Sequence, residues 1–308
     1  MNNKQNHICF SRVANRTFAL LVFLMGLHSV FALESKSAQK DSMIAQTIQA
    51  LAHSPENALF LAQELYDEDS TDKQAVYLLA KAYSVNGNNA LSDFYNEQLL
   101  LKDSLYLPSL ILKAEHLLTA NDLPEANQVI TLINQHFPQS ASEHYLNARY
   151  ALTQNLLDAA EKEAALALQT DSSLLDAHLV LASVAMRQNK YEEAIAHFQK
   201  AELLVVQSAE QLNNYGVCLL EIGKYAEAAE ILQQANDKSD NAKLAYNLGL
   251  ALFQNKQYSA AREQFSNAAL QTDSMSLYFI AKCYEKENRL EDALKPISNS
   301  KRPTKMLP

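Results

Sequence analysis

Residues 175–208 read LDAHLVLASVAMRQNKYEEAIAHFQKAELLVVQS, and this stretch decides the fold because its pattern returns in register along most of the chain. The helix stop within it is Asn189. Gly or Asn stands at the same place every 34 residues, and these two residues most readily adopt the left-handed backbone that ends a helix. The stops are Gly87, Asn121, Asn155, Asn189 and Gly223, with Asn288 at slightly shorter spacing and Asn255 one place out of step. A helix stop that recurs in this way indicates one helical unit copied many times.

Two series of small residues keep the same period. The first series is Ala58, Ser92, Ala126, Ala160, Ala194, Ala228, Ala261 and Ala293. The second lies twelve places earlier and is Ala80, Ala114, Ala148, Ala182, Gly216, Gly249 and Ala281. Two helices cross closely only where short side chains let the backbones approach, so each pair indicates the contact point of a helical hairpin. With only 5 Gly and 7 Pro among 308 residues, a β-rich domain is excluded. We predict a stack of antiparallel helix pairs.

This pattern resembles the tetratricopeptide repeat (TPR) family. When the first residue of a unit is counted as position 1, the family favours a small residue at position 8, Ala at 20, a large apolar residue at 24 and Ala at 27. The unit that begins at Leu175 fits with Ala182, Ala194, Phe198 and Ala201. The resemblance covers about residues 39–300. It implies an all-α fold, an α-solenoid of about eight stacked helix-turn-helix repeats that form a right-handed superhelix, within residues 33–297.

Both ends of the chain differ from the repeats. Lys4, Arg12 and Arg16 precede the apolar run 18–27, and small residues at Val30 and Ala32 follow it. This order is typical of a cleaved signal peptide over residues 1–32. The alternative is an uncleaved inner-membrane anchor over residues 18–33, and in both cases we expect the repeats to face the periplasm. The basic tail, residues 298–308, is predicted to be disordered.

The net charge argues against two classes of partner, and the cysteine positions argue against a disulfide. Without residues 1–32 the chain has 23 basic and 35 acidic residues, a net charge of −12. This acidity argues against binding to nucleic acid and against a broad electrostatic contact with anionic membranes. Cys218 and Cys283 lie two repeats apart, too far for a disulfide, so we expect both to be small core side chains.

No motif of catalytic chemistry occurs in the sequence. It contains no glycine-rich phosphate loop, no Gly-x-Ser-x-Gly elbow, no His-Glu-x-x-His and no Cys-x-x-Cys. His144 and His178 share position 4 of adjacent units, where a packing role is favoured over metal binding because no third ligand is apparent. We therefore expect no enzyme activity, no metal and no cofactor.

The family resemblance implies that a partner binds along the concave surface, which positions 2, 5, 9, 12 and 13 of the first helices line. Tyrosine at position 5 is followed by a cation at position 9 in three units, and asparagine fills position 6 in two consecutive units. A tyrosine ring offers a rigid apolar surface, and a neighbouring cation can take a carboxylate. The predicted groove residues are Tyr77, Lys81, Tyr145, Arg149, Asn214, Tyr246, Asn247, Tyr278 and Lys282. Equally, these residues support one another along their own helices.

Two hypotheses for function follow. The first is a non-enzymatic protein-binding scaffold of the bacterial cell envelope, which holds an extended peptide or helix of a partner in its groove. Such a scaffold serves in the assembly of a secretion, pilus or outer-membrane complex. The second is an accessory module for peptidoglycan or polysaccharide enzymes, in which the tyrosines stack on sugar rings. The absence of Trp, the residue that sugar platforms use more often, ranks the second hypothesis lower.

Overall fold

The computed structural model describes residues 37–202, 208–239, 241–270 and 274–293, and each regular element within those ranges is an α-helix. In chain order the helices are α1 (37–53), α2 (Pro55–Glu68), α3 (Lys73–Val85), α4 (Asn89–Lys102), α5 (Leu107–Thr119), α6 (Leu123–His136), α7 (Ala141–Thr153), α8 (Leu157–Thr170), α9 (Leu175–Arg187), α10 (Tyr191–Glu202), α11 (Ala209–Glu221), α12 (Tyr225–Lys238), α13 (Ala242–Gln254), α14 (Tyr258–Leu270), α15 (Ser274–Lys286) and α16 (290–293). Odd-numbered helices are the first helices of the repeats and even-numbered helices are the second helices.

These helices form the expected all-α array of helix-turn-helix repeats. The pairs run from α1 with α2 to α15 with α16, in agreement with about eight repeats. The predicted signal segment, residues 1–32, and the basic tail, residues 298–308, lie outside the described residues. The right-handed coil of the whole chain stays a prediction. No helix in the described ranges combines the length and the apolarity needed to cross a membrane.

From the second repeat onward, the turn inside each repeat depends on one residue in the left-handed region. Gly87 and Gly223 have φ values of 77° and 80°, and Asn121, Asn155 and Asn189 have φ values of 59° to 60°. Asn288 also adopts this conformation, so these predicted stops are confirmed. The seventh repeat differs from the expectation. Asn255 has a right-handed φ of −78°, and it is Lys256 that turns left-handed, with a φ of 63°. The repeat before this turn is one residue shorter, which moves the stop onto a lysine.

The small residues lie where the two helices of a hairpin cross. A Cβ atom built on Gly216 would lie 2.5 Å from Cγ of Leu232, and one built on Gly249 would lie 2.7 Å from Cε1 of Phe265. Real Cβ atoms do not approach other atoms so closely. The opposing side chain therefore fits only because glycine has no Cβ atom. The predicted contact points are therefore confirmed at these two hairpins.

The chain divides into two compact units, Met1–Ser109 and Leu110–Pro308. In unit 1, a buried cluster of Ala62, Leu65, Leu78, Leu79 and neighbouring alanines joins α2 to α3, and Met43 and Ile44 of α1 pack on it. The end of this unit is unusually polar. The amide Nδ2 of Asn96 donates to the carbonyl of Ser109 at 2.9 Å, while the buried Oγ of Ser92 has no hydrogen-bond partner among the described residues.

In unit 2, each of the first helices α7, α9, α11 and α13 packs against its own second helix and against the second helix before it, and α15 packs against α14. One core cluster spans α9 to α13 and includes Phe198, Tyr215, Leu219 and Leu232. A second cluster joins α13, α14 and α15 around Phe265 and Ile280. Cys218 and Cys283 are fully buried free thiols in these clusters, which confirms their predicted packing role. Burial raises the pKa of Cys218 to about 12 and that of Cys283 to about 11.

Candidate functional site

The candidate site is the first-helix face of unit 2, which consists of positions 2, 5, 9, 12 and 13 of α7, α9, α11, α13 and α15. Consecutive first helices contact each other directly, α7 with α9, α9 with α11 and α11 with α13. Consecutive second helices make no contact of that extent in the described part of this unit. The first helices therefore lie on the more closely packed side of the stack, as the family resemblance implied.

A charged cluster occupies the first-helix face at α5, α7 and α9. The hydroxyl of Tyr145 donates to Oε1 of Glu115 at 3.1 Å, and Nη1 of Arg149 donates to the Tyr145 hydroxyl at 3.3 Å. Burial raises the pKa of Tyr145 well above its usual value, with Glu115 and Asp176 adding to the shift. The pKa of Arg149 is also raised, mainly through Tyr145 and then through Glu115 and Asp176. Three consecutive first helices thus share one polar network.

This network changes the role expected for Tyr145 and Arg149. The Tyr145 side chain is only 4% exposed, so its ring does not present a free apolar surface. The guanidinium of Arg149 is held by Tyr145 in the field of two carboxylates of its own chain, so it does not stand ready for a partner's carboxylate. Both residues link neighbouring repeats, because Tyr145 bonds Glu115 of α5 and the charge of Asp176 on α9 acts on both. Their place among the partner-binding residues stays a prediction.

A ladder of asparagine amides links α11 to α13. Nδ2 of Asn247 donates to Oδ1 of Asn213 at 2.7 Å, and Nδ2 of Asn213 lies 3.5 Å from Oδ1 of Asn214. Asn247 and Asn214 were predicted from the sequence, but the buried member between them, Asn213, was missed. The signal was available, since Asn213 and Asn247 are themselves 34 residues apart. Counting from the start of each unit hid it, because the shorter repeat shifts the count by one.

A strip of half-buried apolar side chains, most of which also pack against the core clusters, runs along the same face, and sequence reasoning missed it. Its members lie at positions 5, 9 and 12 of α9, α11 and α13. They are Leu179, Met186, Val217, Leu220, Leu250 and Phe253. Apolar residues at helical spacing were interpreted as core, and only the structure separates those that are buried from those that reach the surface. We call this set the apolar strip.

The remaining predicted residues of unit 2 differ in their accessibility. Tyr246 is half-buried, and its ring packs edge-on against Phe265 and Phe279 at centroid distances of 5.8 and 5.9 Å. Tyr278 is 51% exposed, and Nζ of Lys282 lies 5.8 Å from the centroid of its ring. Nζ of Lys282 also donates to Oε2 of Glu285 at 2.9 Å. Tyr278 and Lys282 are thus the predicted tyrosine–cation pair that solvent reaches in this unit.

Unit 1 contributes Tyr77 and Lys81 on α3. The ring of Tyr77 packs edge-on against Tyr106 with a centroid distance of 6.2 Å, and it covers the buried cluster of that unit. Lys81 is half-buried one turn later. This pair follows the spacing of the other pairs, and its role in binding a partner stays a prediction.

The histidines at position 4 lie between helices of one hairpin. Nδ1 of His144 lies 2.8 Å from Oε2 of Glu163, and Nδ1 of His178 lies 3.0 Å from Nδ1 of His197. Burial lowers the pKa of both members of the second pair, and their mutual proximity lowers that of His178 further. Across the described ranges, no group of three potential ligands could hold a metal ion.

The comparisons with known proteins agree with this architecture. A family model for the tetratricopeptide repeat matches residues 145–209, 179–243, 219–276 and 246–298, which together cover half of the chain. The type IV pilus assembly protein PilF of Pseudomonas aeruginosa is 33% identical over 105 residues. That match covers 33% of this chain and 42% of PilF, so the chain spans less than half the length of this relative.

Solved structures of low identity share the fold. YrrB, a TPR protein with an unusual peptide-binding site, aligns with a TM-score of 0.53 at 21% identity over 56% of this chain and 90% of YrrB. The APC/C hetero-tetramer Cut9–Hcn1 gives a TM-score of 0.57 at 16% identity over 80% of this chain and 54% of the matched chain. PilF of Pseudomonas aeruginosa gives a TM-score of 0.51 at 20% identity over 63% of this chain and 90% of the PilF chain. At these identities the likeness supports the fold alone.

Proposed function

Because the chain belongs to the tetratricopeptide repeat family, whose repeats are protein–protein interaction modules, we propose that it is a non-enzymatic scaffold of the bacterial cell envelope. Its partner is a protein that inserts an extended peptide or a helix along the first-helix face of unit 2. The groove residues named from the sequence belong to this proposal, with the apolar strip added to them. In this proposal the chain uses no cofactor and no nucleic acid.

The observation that carries the proposal is the apolar strip beside the asparagine ladder. The half-buried leucine, valine, methionine and phenylalanine side chains keep part of their surface in solvent, and burial of that part gains about 25 cal/mol for each Å². An amphipathic helix or an extended segment buries such a strip with its own apolar side chains. The half-exposed amides of Asn214 and Asn247 lie alongside to bond its polar groups. This combination fits a protein segment better than a small molecule.

Two observations support a place in the envelope. Residues 1–32 have the charge and hydropathy order of an export signal, with a membrane anchor over residues 18–33 as the alternative. The partial likeness to a type IV pilus assembly protein supports assembly of a pilus or a related envelope complex. We propose a periplasmic location for the repeats. The intact mass of the exported chain tests this step, because a chain beginning at Leu33 means cleavage and a full-length chain means an anchor.

A paired substitution tests the binding face. We expect Leu220→Ser with Leu250→Ser to lower recovery of the partner from envelope fractions at least about tenfold, because hot-spot side chains contribute that much to affinity. The matched control is Leu156→Ser, which changes an exposed leucine at the start of α8, away from the strip. Circular dichroism verifies that both variants keep their helices. Equal recovery of every protein from wild type and the paired variant would refute the proposal.

The sugar-binding alternative receives less support. Stacking on a sugar ring requires an exposed aromatic face, and of Tyr77, Tyr145, Tyr246 and Tyr278 only the last is exposed. The other three are buried or half-buried in contact with their own chain. Saturable binding of purified cell-wall fragments that Tyr278→Ser abolishes would restore the alternative.

A further inference from the structure

A different surface, on the second helices of unit 1, carries the two most exposed aromatic side chains in the described part of the chain. Phe60 of α2 is 60% exposed and Phe94 of α4 is 53% exposed. The two phenylalanines are 34 residues apart, so they occupy the same position, 22, in consecutive repeats. Each presents on the order of 100 Å² of ring surface to water. We call this the second-helix face of unit 1.

The equivalent position in unit 2 shows that phenylalanine is not required by the fold. Position 22 is exposed in each of the next five repeats, where it holds Gln128, Lys162, Ala196, Glu230 and Glu263. A repeat therefore forms equally well with a small or charged residue at this place. Two exposed phenylalanines at the one register position in adjacent repeats thus stand apart from the rest of the chain, and exposed apolar patches of this kind mark interaction sites.

The apolar surface continues along α4. Leu91 and Phe94 are one turn apart, and Leu101, which is 84% exposed, lies two turns beyond Phe94 on the same side of the helix. The core of this repeat does not use these side chains, since the buried residues of α4 are Ser92, Asn96 and Leu99. The helix thus has a second, outward-facing apolar stripe in addition to its core stripe.

A cavity of about 140 Å³ opens beside this stripe. Its walls include Tyr66, Thr71, Val76, Phe94, Tyr95 and Lys102. The rings form a connected set, because Tyr95 lies edge-on to Tyr66 at 5.4 Å and to Phe94 at 5.3 Å. Ser70 and Gln98 line it as well, so its walls are partly polar, and a cavity of about 150 Å³ admits a molecule of the size of benzene. The space therefore fits one leucine, methionine or phenylalanine side chain.

The surrounding charge is acidic. Helices α2 and α4 carry the exposed carboxylates Glu56, Glu64, Asp67, Glu68, Asp93 and Glu97. Their single cation is Lys102. Glu56 and Glu64 lie one turn on either side of Phe60, on the same side of the helix. A second copy of this chain would bring like charges together, whereas lysine or arginine next to an apolar anchor complements the face.

We propose that the second-helix face of unit 1 docks an amphipathic segment of a partner protein, which inserts one apolar side chain into the cavity and places lysine or arginine against the carboxylates. This surface is separate from the first-helix face of unit 2 and does not depend on it.

The test uses the full chain and two synthetic helical peptides that share a leucine face. One peptide has lysine on its other face and the second has glutamate. We expect the lysine peptide to bind at least about tenfold more tightly than the glutamate peptide, with binding that weakens as salt is raised from about 0.05 to about 0.5 M. Fluorescence anisotropy measures both affinities. Equal affinity for the two peptides, or no binding of either, overturns the proposal.

Substitutions locate the binding. The paired variant Phe60→Ser with Phe94→Ser is expected to weaken binding of the lysine peptide at least about tenfold. The control pair, Gln128→Ser with Lys162→Ser, lies at the same register in unit 2 and should leave this affinity unchanged. Should the phenylalanine variant lose its helical circular dichroism, Leu101→Ser replaces it, because that side chain is almost fully exposed. An equal loss of affinity for the lysine peptide in both paired variants overturns the proposal. So does light scattering that shows a dimer which dissociates in the phenylalanine variant, since the occupant is then a second copy.

Discussion

Lys256 is a lysine where repeats two to six and eight have Gly or Asn, and its replacement gives a sharp test of the repeat register. The residue has a φ of 63° and follows α13, while Asn255, one place earlier, has a φ of −78°. The amides around it close the turn, with the Gln257 N–H donating to the Leu252 carbonyl at 2.8 Å. We expect Lys256→Gly to stabilise the protein and Asn255→Gly to destabilise it.

The magnitudes follow from the backbone. A residue with a Cβ atom costs roughly 1–2 kcal/mol in the left-handed conformation, and glycine removes that strain. Glycine also adds freedom to the unfolded chain, which costs about 0.4–1 kcal/mol. The net gain for Lys256→Gly is therefore about 0.5–1 kcal/mol. Asn255→Gly gains nothing, because the backbone there is already right-handed, and it loses about 0.5–1 kcal/mol through the same freedom.

Urea unfolding followed by circular dichroism measures both changes. With a slope of about 3 kcal/mol/M, the midpoint rises by about 0.2–0.3 M for Lys256→Gly and falls by a similar amount for Asn255→Gly. Because repeat arrays unfold in parts, native-state hydrogen exchange of α13 and α14 gives the local value. Shifts of the same sign in both variants, or a gain at Asn255 alone, would refute the assignment of the turn.

Three further predictions concern stability. Burial lowers the pKa of His178 and His197 in the folded protein. Around pH 6.5 the unfolded chain therefore binds more protons than the folded chain, so the free energy of unfolding falls as pH drops from about 7.5 to about 5.5. His178→Leu with His197→Ile should flatten this dependence of the urea midpoint, and an unchanged slope contradicts it. Gly249→Ala places a Cβ atom against the fully buried ring of Phe265. Overpacking of about 1–3 kcal/mol outweighs a gain in helix propensity of about 1 kcal/mol, so the melting temperature should fall and not rise. Ser92→Ala removes a buried hydroxyl that has no partner in the described ranges, so stability stays equal or rises by up to about 1 kcal/mol; a larger loss in urea unfolding would indicate a bond to this hydroxyl.

The candidate site was only partly predictable from the sequence. Periodicity placed Tyr145, Tyr246 and Tyr278 at one register position, and the structure places them on the first helices α7, α13 and α15 as expected. Their exposure was not predictable, because it depends on neighbours from other repeats. Glu115 covers Tyr145 from α5, and Phe279 covers Tyr246 from α15. Position in a repeat fixes the direction of a side chain but not the groups that meet it.

Periodicity by itself determined the helical hairpins, their turns and their crossing points. These features are local, since a left-handed residue ends a helix and a small residue admits a second backbone wherever the pattern recurs. Tertiary packing decided the rest. It paired Asn247 with Asn213, and it left Phe60 and Phe94 in solvent. Each outcome depends on side chains about one repeat away, and the free energy of those contacts exists only once the repeats have stacked.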